Sequence, residues 1–249
     1  METMNIEPRF RLKLLPLLVT VLLGLTVTIG AAEITALVLR LFHLPNFKQS
    51  MLLFLFIQHG AQLLIALIAI GVLKYWFVPA DYGLHWPRGR SYILSAILWG
   101  LGLALAVNAG NTWLDGVLHL GQATSEITYT HKTVWGWAVF EGLYVGPTEE
   151  IPFRALLVTY LAATMPGKLH LGRFNMNWAG IIVALLFALA HIQSFWLENW
   201  VDALVQQGYA FALGVLYAYW LEKSKSIIAP IIAHNVSDGI TVLTWALGM

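Results

Sequence analysis

The chain has 249 residues, contains no cysteine and carries few charges. Without cysteine there can be no disulfide, thiol nucleophile, thiolate zinc site or iron–sulfur cluster. Charged residues make up 11% of the chain, whereas a soluble domain has roughly a quarter. The net charge of +1 offers no basic surface for nucleic acid. These absences argue against a soluble fold and a nucleic-acid partner, and they leave catalysis to carboxylates, imidazoles, hydroxyls and amides.

Long apolar stretches take the place of the missing charges, and hydrophobic residues make up 59% of the chain. A helix crosses a bilayer with about 20 residues. The stretches that reach this length run over Leu12–Leu41, Met51–Phe77, Tyr92–Leu114, Val134–Met165, Trp178–Trp196, Val201–Leu221 and Ile227–Leu247. Because they are continuously apolar rather than alternating, they favour helices over β-barrel strands. The sequence predicts a single all-α membrane bundle over residues 1–249.

Two features bear on the number of crossings. The fourth stretch contains Pro147 and Pro152, which predict a kinked or broken helix. One kinked span gives seven crossings, and a division into two gives eight. The first stretch continues past Glu33 to Leu41, longer than the core of a secretory signal, which is about 7–15 residues. We therefore expect a retained anchor.

The distribution of basic residues predicts the orientation. With seven crossings and a cytoplasmic N-terminus, the outside holds only Arg40, Lys48 and Lys132. The inside then holds Arg9, Arg11, Lys13, Lys74, Arg88, Arg90, Lys168, Arg173, Lys223 and Lys225. This positive-inside bias supports both the count and the orientation.

Ionisable residues lie inside the fourth stretch, although an ionised group at the bilayer centre costs roughly 2.5–3.5 kcal/mol. Glu150 and Arg154 are four residues apart and can pair on one helix face, while Glu149 points about 100° away. This spacing predicts that Glu150 and Arg154 neutralise each other and that Glu149 is free to act. A purely structural ion pair with a spare glutamate is the alternative.

Two later stretches carry histidines. Phe187 and His191 share a helix face, although a lone intramembrane histidine is more often a packing residue. His234 and Asp238 also share a face, which suits an imidazole oriented by a carboxylate, two metal ligands or a polar cluster at a helix end. Together with Glu149, these residues supply a general-base pair for water and a polar group for an oxyanion.

The motifs EExxxR (Glu149, Glu150, Arg154), FxxxH (Phe187, His191) and HxxxD (His234, Asp238) resemble those of the CAAX-prenyl-protease and bacteriocin-processing family. The resemblance covers residues 134–247, and residues 1–133 show no assignable motif. Members of this family are glutamic-type intramembrane proteases. The resemblance implies an endopeptidase with a peptide or protein substrate, in a bacterial inner membrane, without a required cofactor.

Carried over, the family's roles are water activation by Glu149 and His191, architectural support by Glu150 and Arg154, and an oxyanion site at His234 and Asp238. Two positions depart from the pattern. Ala155 stands where glycine is frequent, and Asp238 stands where many members have asparagine. Because an ionised aspartate cannot donate a hydrogen bond, Asp238 must be protonated, orient His234 or belong to a metal set.

Three alternatives stay open at this point. A zinc peptidase would use Glu149, His191, His234 and Asp238 as ligands. A transporter would use the same groups as a proton relay, and a scaffold would retain the fold without turnover. The remaining intramembrane polar residues are expected to form interhelical hydrogen bonds or to lie near the membrane interfaces, and none is assigned a catalytic role: Glu33, Gln58, His59, Gln62, Asn108, Asn111, Asp202, Gln206 and Gln207.

Overall fold

The computed structural model of the chain describes residues 12–45, 50–118, 133–171, 174–197 and 199–246. Five of the basic residues used for the orientation lie outside these ranges: Arg9, Arg11, Lys48, Lys132 and Arg173. The cytoplasmic N-terminus therefore stays a prediction.

Helices occupy the apolar stretches, which confirms an all-α architecture. In chain order they are α1 (Leu14–Leu41), α2 (Met51–Trp76), α3 (Ile93–Leu118), α4 (Val134–Val139), α5 (Val145–Glu150), α6 (Thr159–Thr164), α7 (Trp178–Ala190), α8 (Ser194–Leu197), α9 (Trp200–Ser224) and α10 (Ile228–Ala246). Among the described residues, four helical segments are long and apolar enough to cross a membrane: Leu14–Leu41, Met51–Trp76, Ile93–Leu118 and Trp178–Trp196. A count of seven or eight crossings stays a prediction.

A short hairpin joins the fourth apolar stretch to α7. Strand β1 (Lys168–Leu171) pairs antiparallel with β2 (Phe174–Asn177), where the sequence predicted no strand. The backbone nitrogen of Asn177 donates to Glu222 Oε2 at 2.6 Å, and the Asn177 side chain accepts from Ala179 at the start of α7. The hairpin thus ends at a helix cap that is tied to α9.

The fourth apolar stretch forms one continuous helix over 134–164, which we call the motif helix. Two π-helical segments, Phe140–Tyr144 and Ile151–Val158, alternate with α4, α5 and α6. The prolines predicted a kinked or a broken helix, and the helix is unbroken over this fully described segment. Its π-helical turns, a feature that commonly accompanies bends and functional sites, precede Pro147 and include Pro152.

Side-chain amides from two flanking helices replace the hydrogen bonds that the prolines cannot make. Pro147 has no N–H for the carbonyl of Leu143, and Asn235 Nδ2 donates to that carbonyl at 3.3 Å. Pro152 has none for the carbonyl of Thr148, and Gln62 Nε2 donates there at 3.3 Å. Amide donors from α2 and α10 thus reach both carbonyls that the prolines leave without their usual partner four residues on.

A glycine lets α10 approach the motif helix closely. A Cβ at Gly146 would overlap the side-chain oxygen of Asn235 and lie 2.8 Å from the carbonyl oxygen of Ile231. Without it, Asn235 Oδ1 accepts the Gly146 N–H at 2.8 Å. Helix α10 packs against α3, α9 and the motif helix, and α2 also packs against the motif helix. This arrangement brings the three motifs together.

Candidate active site

A buried ion pair lies at the back of the site. Arg154 Nη1 is 3.0 Å from Glu150 Oε1, and the two side chains are 1% and 0% exposed. The guanidinium lies 4.0 Å from the ring centroid of Phe187 and 5.2 Å from that of Tyr217. The predicted pairing of Glu150 with Arg154 is thus confirmed, and aromatic faces supply the rest of the cation's surroundings.

His234 extends this ion pair to a second carboxylate. Its Nδ1 is 2.7 Å from Glu150 Oε1, and its Nε2 is 3.1 Å from Asp238 Oδ2. The ring also stacks on Tyr217, with centroids 5.6 Å apart. Because both ring nitrogens face carboxylate oxygens, the geometry suits the doubly protonated imidazolium. Of the three roles open for Asp238 in the sequence, this contact favours the orientation of His234.

These four groups form what we call the back network: Glu150, Arg154, His234 and Asp238. With His234 as the imidazolium that this geometry suits, its two carboxylates and two cations cancel, and the network as a whole is neutral. Neutrality matters because uncompensated charge in a low-dielectric interior is expensive. The network needs no charge from Glu149, whose Oε2 lies 3.8 Å from His234 Nε2.

Unlike Glu150, Glu149 lines a cavity of about 430 Å³. Its side chain is 16% exposed, against 0% for Glu150. We call this space the front cavity. Its lining comprises Leu55, His59, Phe140, Glu141, Val145, Glu149, His191, Gln193, Ser194, Gln206, Tyr209, His234, Asp238, Thr241 and Val242. The cavity therefore combines apolar walls with carboxylates and imidazoles. Ligand pockets typically have this composition, with mostly apolar surface and a few polar groups.

His191 enters the front cavity from the end of α7, where it is the residue that caps the helix. Its Nδ1 donates to the carbonyl of Phe187 at 2.9 Å, so Nε2 carries the free lone pair. Gln207 Nε2 and Ser194 Oγ both donate to the His191 carbonyl, at 2.9 and 3.0 Å. Those contacts fix the turn, and the ring also packs edge-on against Phe187.

Glu149 and His191 line the same cavity, but among the described residues they form no ion pair within 4.0 Å. An open position between a carboxylate oxygen and an imidazole lone pair is the arrangement that a shared water molecule needs. The structure therefore places the two predicted base residues around a common space rather than in contact.

Sequence reasoning missed two residues of the front cavity. His59 from α2 was expected to be an interhelical hydrogen-bond partner, which its contact with Thr148 at 3.1 Å confirms; what the sequence did not indicate is that its Nε2 lies 3.9 Å from Glu149 Oε1. Glu141 was not singled out, although it lines the same cavity. Glu141 lies eight residues before Glu149, about two helical turns, and this spacing could have indicated that both residues lie on one helix face. For Gln62, Asn108 and Gln207, the predicted interhelical bonds are confirmed.

The zinc set of Glu149, His191, His234 and Asp238 was left open as an alternative, and it stays a prediction. Within the described ranges, no group of three or more His, Asp or Glu residues has the spacing to hold a metal ion.

Comparison with known proteins supports the interpretation of the motifs. Residues 131–240 match the family model described as type II CAAX prenyl endopeptidase, Rce1-like. No curated protein and no solved structure matches the chain. The matched segment contains all three motifs and the helices that bring them together. The chain is therefore an integral membrane protein whose residues 131–240 are similar to Rce1-like CAAX prenyl endopeptidases.

Proposed function

We propose that this protein is an intramembrane endopeptidase that hydrolyses peptide bonds in membrane-associated peptides or proteins, with water activated by Glu149 and His191. The observation that carries the proposal is the division between adjacent glutamates. Glu150 belongs to the neutral back network, whereas Glu149 faces the front cavity together with the free Nε2 of His191.

The reaction begins with a water held between Glu149 and His191 Nε2. Glu149 takes a proton as the water oxygen bonds to the carbonyl carbon, which gives a tetrahedral intermediate with a negatively charged oxygen. When the carbon–nitrogen bond breaks, Glu149 returns the proton to the leaving amine. No covalent bond to the protein forms, in agreement with a chain that has no cysteine.

The oxyanion is stabilised by the edge of the back network that reaches the cavity. His234 lines the cavity, and its imidazolium is held by Glu150 on one side and by Asp238 on the other. A fixed cation in a low-dielectric site stabilises developing negative charge without reorganisation. Asp238, 26% exposed, keeps this ring oriented.

The lining of the cavity supports a peptide as the substrate. Leu55, Phe140, Val145 and Val242 provide apolar walls, and the surrounding helices present an apolar exterior. We infer that residues 134–247 form the protease core. Helix α2, which carries no motif, completes it with Leu55, His59 and Gln62. A bacterial inner membrane and a cytoplasmic N-terminus belong to the same proposal.

The test compares purified wild type, Glu149→Ala and His191→Ala for cleavage of a mixed library of membrane peptides. Both variants should lose activity by about 10²-fold or more, the usual contribution of a general base. Glu33→Gln is the matched control, because Glu33 is an exposed acid on α1, outside the cavity. Equal cleavage by all the proteins would overturn the mechanism.

A second arm addresses zinc. Activity that survives exhaustive chelation supports hydrolysis without a metal. Activity that disappears on chelation and returns with added zinc contradicts the proposed mechanism and favours the zinc peptidase.

A further inference from the structure

The contact with Thr148 favours one tautomer of His59. The Thr148 hydroxyl oxygen lies 2.8 Å from the carbonyl of Tyr144 and 2.9 Å from that of Val145, two acceptors for its single hydrogen. The same oxygen lies 3.1 Å from His59 Nδ1 and accepts there when its own hydrogen is directed to a carbonyl. This arrangement favours the tautomer in which Nδ1 carries the imidazole hydrogen and Nε2 presents a lone pair.

That lone pair faces Glu149. His59 Nε2 is 3.9 Å from Glu149 Oε1, just outside hydrogen-bond distance. Two acceptors face each other while Glu149 is ionised, because neither atom carries a hydrogen. A proton on Glu149 would supply the missing donor, and hydrogen bonds at active sites often shorten only when the reaction complex forms.

We propose that His59 is a positioning residue for Glu149, whose Nε2 accepts a hydrogen bond from the Glu149 carboxylic acid after the acid has formed. The proposal rests on the function proposed above for Glu149. The proton comes from the attacking water, stays on Glu149 while the tetrahedral intermediate exists, and leaves with the amine nitrogen. His59 itself neither gains nor loses a proton.

The hydrogen bond between His59 and Glu149 would stabilise only some states along the reaction. It does not exist while Glu149 is ionised, so it leaves substrate binding unchanged and stabilises only states in which proton transfer has begun. It also holds the carboxylic acid in place until the amine departs. His59 lies on α2, outside the segment 131–240 that matches the family, so the family match assigns it no role.

Two substitutions at this position separate the functions of the two ring nitrogens. Asparagine places its amide near Nδ1, so His59→Asn keeps a donor to Thr148 but loses the acceptor that faces Glu149. Glutamine reaches the Nε2 position, so His59→Gln restores an acceptor there. We expect His59→Asn to lower kcat by about 10-fold to 100-fold with KM unchanged, and His59→Gln to recover most of the loss.

His43→Asn is the matched control, because His43 is an exposed histidine beyond the end of α1, outside the cavity. It should leave kcat and KM unchanged. A second variant, Thr148→Val, removes the acceptor that favours this tautomer while keeping the side-chain shape. It should also lower kcat with KM unchanged. The thermal stability of each variant is measured in the same detergent.

The outcomes separate this inference from the proposed function. Wild-type kcat in His59→Asn, or equal losses in His59→Asn and His59→Gln, would overturn the role of His59 while leaving Glu149 as the base. Full activity in Glu149→Gln would instead overturn the proposed function itself.

Discussion

Glu149 and Glu150 are neighbours in the sequence, yet they belong to two different regions of the molecule. Glu150 is 0% exposed and contacts Arg154 and His234 in the back network. Glu149 is 16% exposed and faces the front cavity, with imidazole nitrogens at 3.8 and 3.9 Å. The carboxylate of Glu150 therefore has a structural role, whereas the carboxylate of Glu149 is accessible to a ligand.

The difference shows how a membrane bundle can keep a reactive carboxylate. Buried charge is tolerated when it is compensated locally, and the back network is neutral without Glu149. Compensation also leaves the imidazolium of His234 fixed at the edge of the cavity. We therefore expect changes in the back network to reduce stability and changes in the front cavity to reduce activity.

The largest effect on stability is expected from Arg154→Met. The substitution leaves Glu150 buried without its guanidinium partner, and removing one member of a buried pair costs about 3–5 kcal/mol. Chemical denaturation in detergent should show the loss. Arg40→Met, at an exposed arginine on α1, is the control and should leave the unfolding midpoint unchanged. An Arg154→Met protein as stable as wild type would contradict the expectation that changes in the back network reduce stability.

A smaller effect is expected at the amide that satisfies the motif helix. Gln62→Leu leaves the buried Thr148 carbonyl without its donor, at a cost of about 1–3 kcal/mol. Pro152→Ala restores a backbone N–H to the same carbonyl, so the cost of Gln62→Leu should shrink in that background. Four unfolding free energies, combined as a double-mutant cycle, measure the coupling. If Gln62→Leu costs the same free energy of unfolding in both backgrounds, the restored backbone N–H does not replace the Gln62 donor.

At the border between the two regions, Asp238 distinguishes charge from hydrogen bonding. In Asp238→Asn, the amide oxygen can still accept from His234, and the amide nitrogen can donate to the oxyanion. We expect kcat within about 10-fold of wild type, whereas Asp238→Leu should lose about 10²-fold or more. Cleavage assays on both variants provide the comparison. If Asn and Leu are equally damaging, Asp238 acts through its charge.

The smallest effect is expected far from both regions, in the loop between α2 and α3. The Trp86 carbonyl and the Asp81 carboxylate, at 2.8 and 3.0 Å, raise the pKa of His85. A raised pKa stabilises the folded state at low pH, and the gain is lost as pH rises through the folded pKa. His85→Ala should slightly lower the thermal midpoint at about pH 5.5 and leave it unchanged at about pH 8.5. If the difference in thermal midpoint between wild type and His85→Ala grew as the pH rises, the pKa of His85 would not be raised in the folded state.

Sequence patterns predicted the helices and the contacts within each helix. The second stretch was predicted over Met51–Phe77 and is helical over Met51–Trp76. The four-residue spacings predicted the pairs Glu150–Arg154 and His234–Asp238, which are both present. These predictions succeed because apolar runs and helical periodicity are local properties of the chain.

Contacts between helices could not be predicted in the same way. The contact of His234 with Glu150 joins residues 84 positions apart, and no local spacing encodes it. His59 is a single histidine in an apolar helix, where packing is the commoner role, so its position opposite Glu149 appears only after folding. The π-helical segments also escaped prediction, as did the amide donors from α2 and α10 that contact the motif helix.

The most direct test of the two regions is a side-by-side measurement of Glu149→Gln and Glu150→Gln, with thermal unfolding and peptide cleavage recorded on the same preparations. We expect Glu149→Gln to unfold at the wild-type temperature but to lose cleavage by about 10²-fold or more, and Glu150→Gln to unfold at a lower temperature. A Glu149→Gln protein that cleaves peptides at the wild-type rate would contradict the role of Glu149 as the general base.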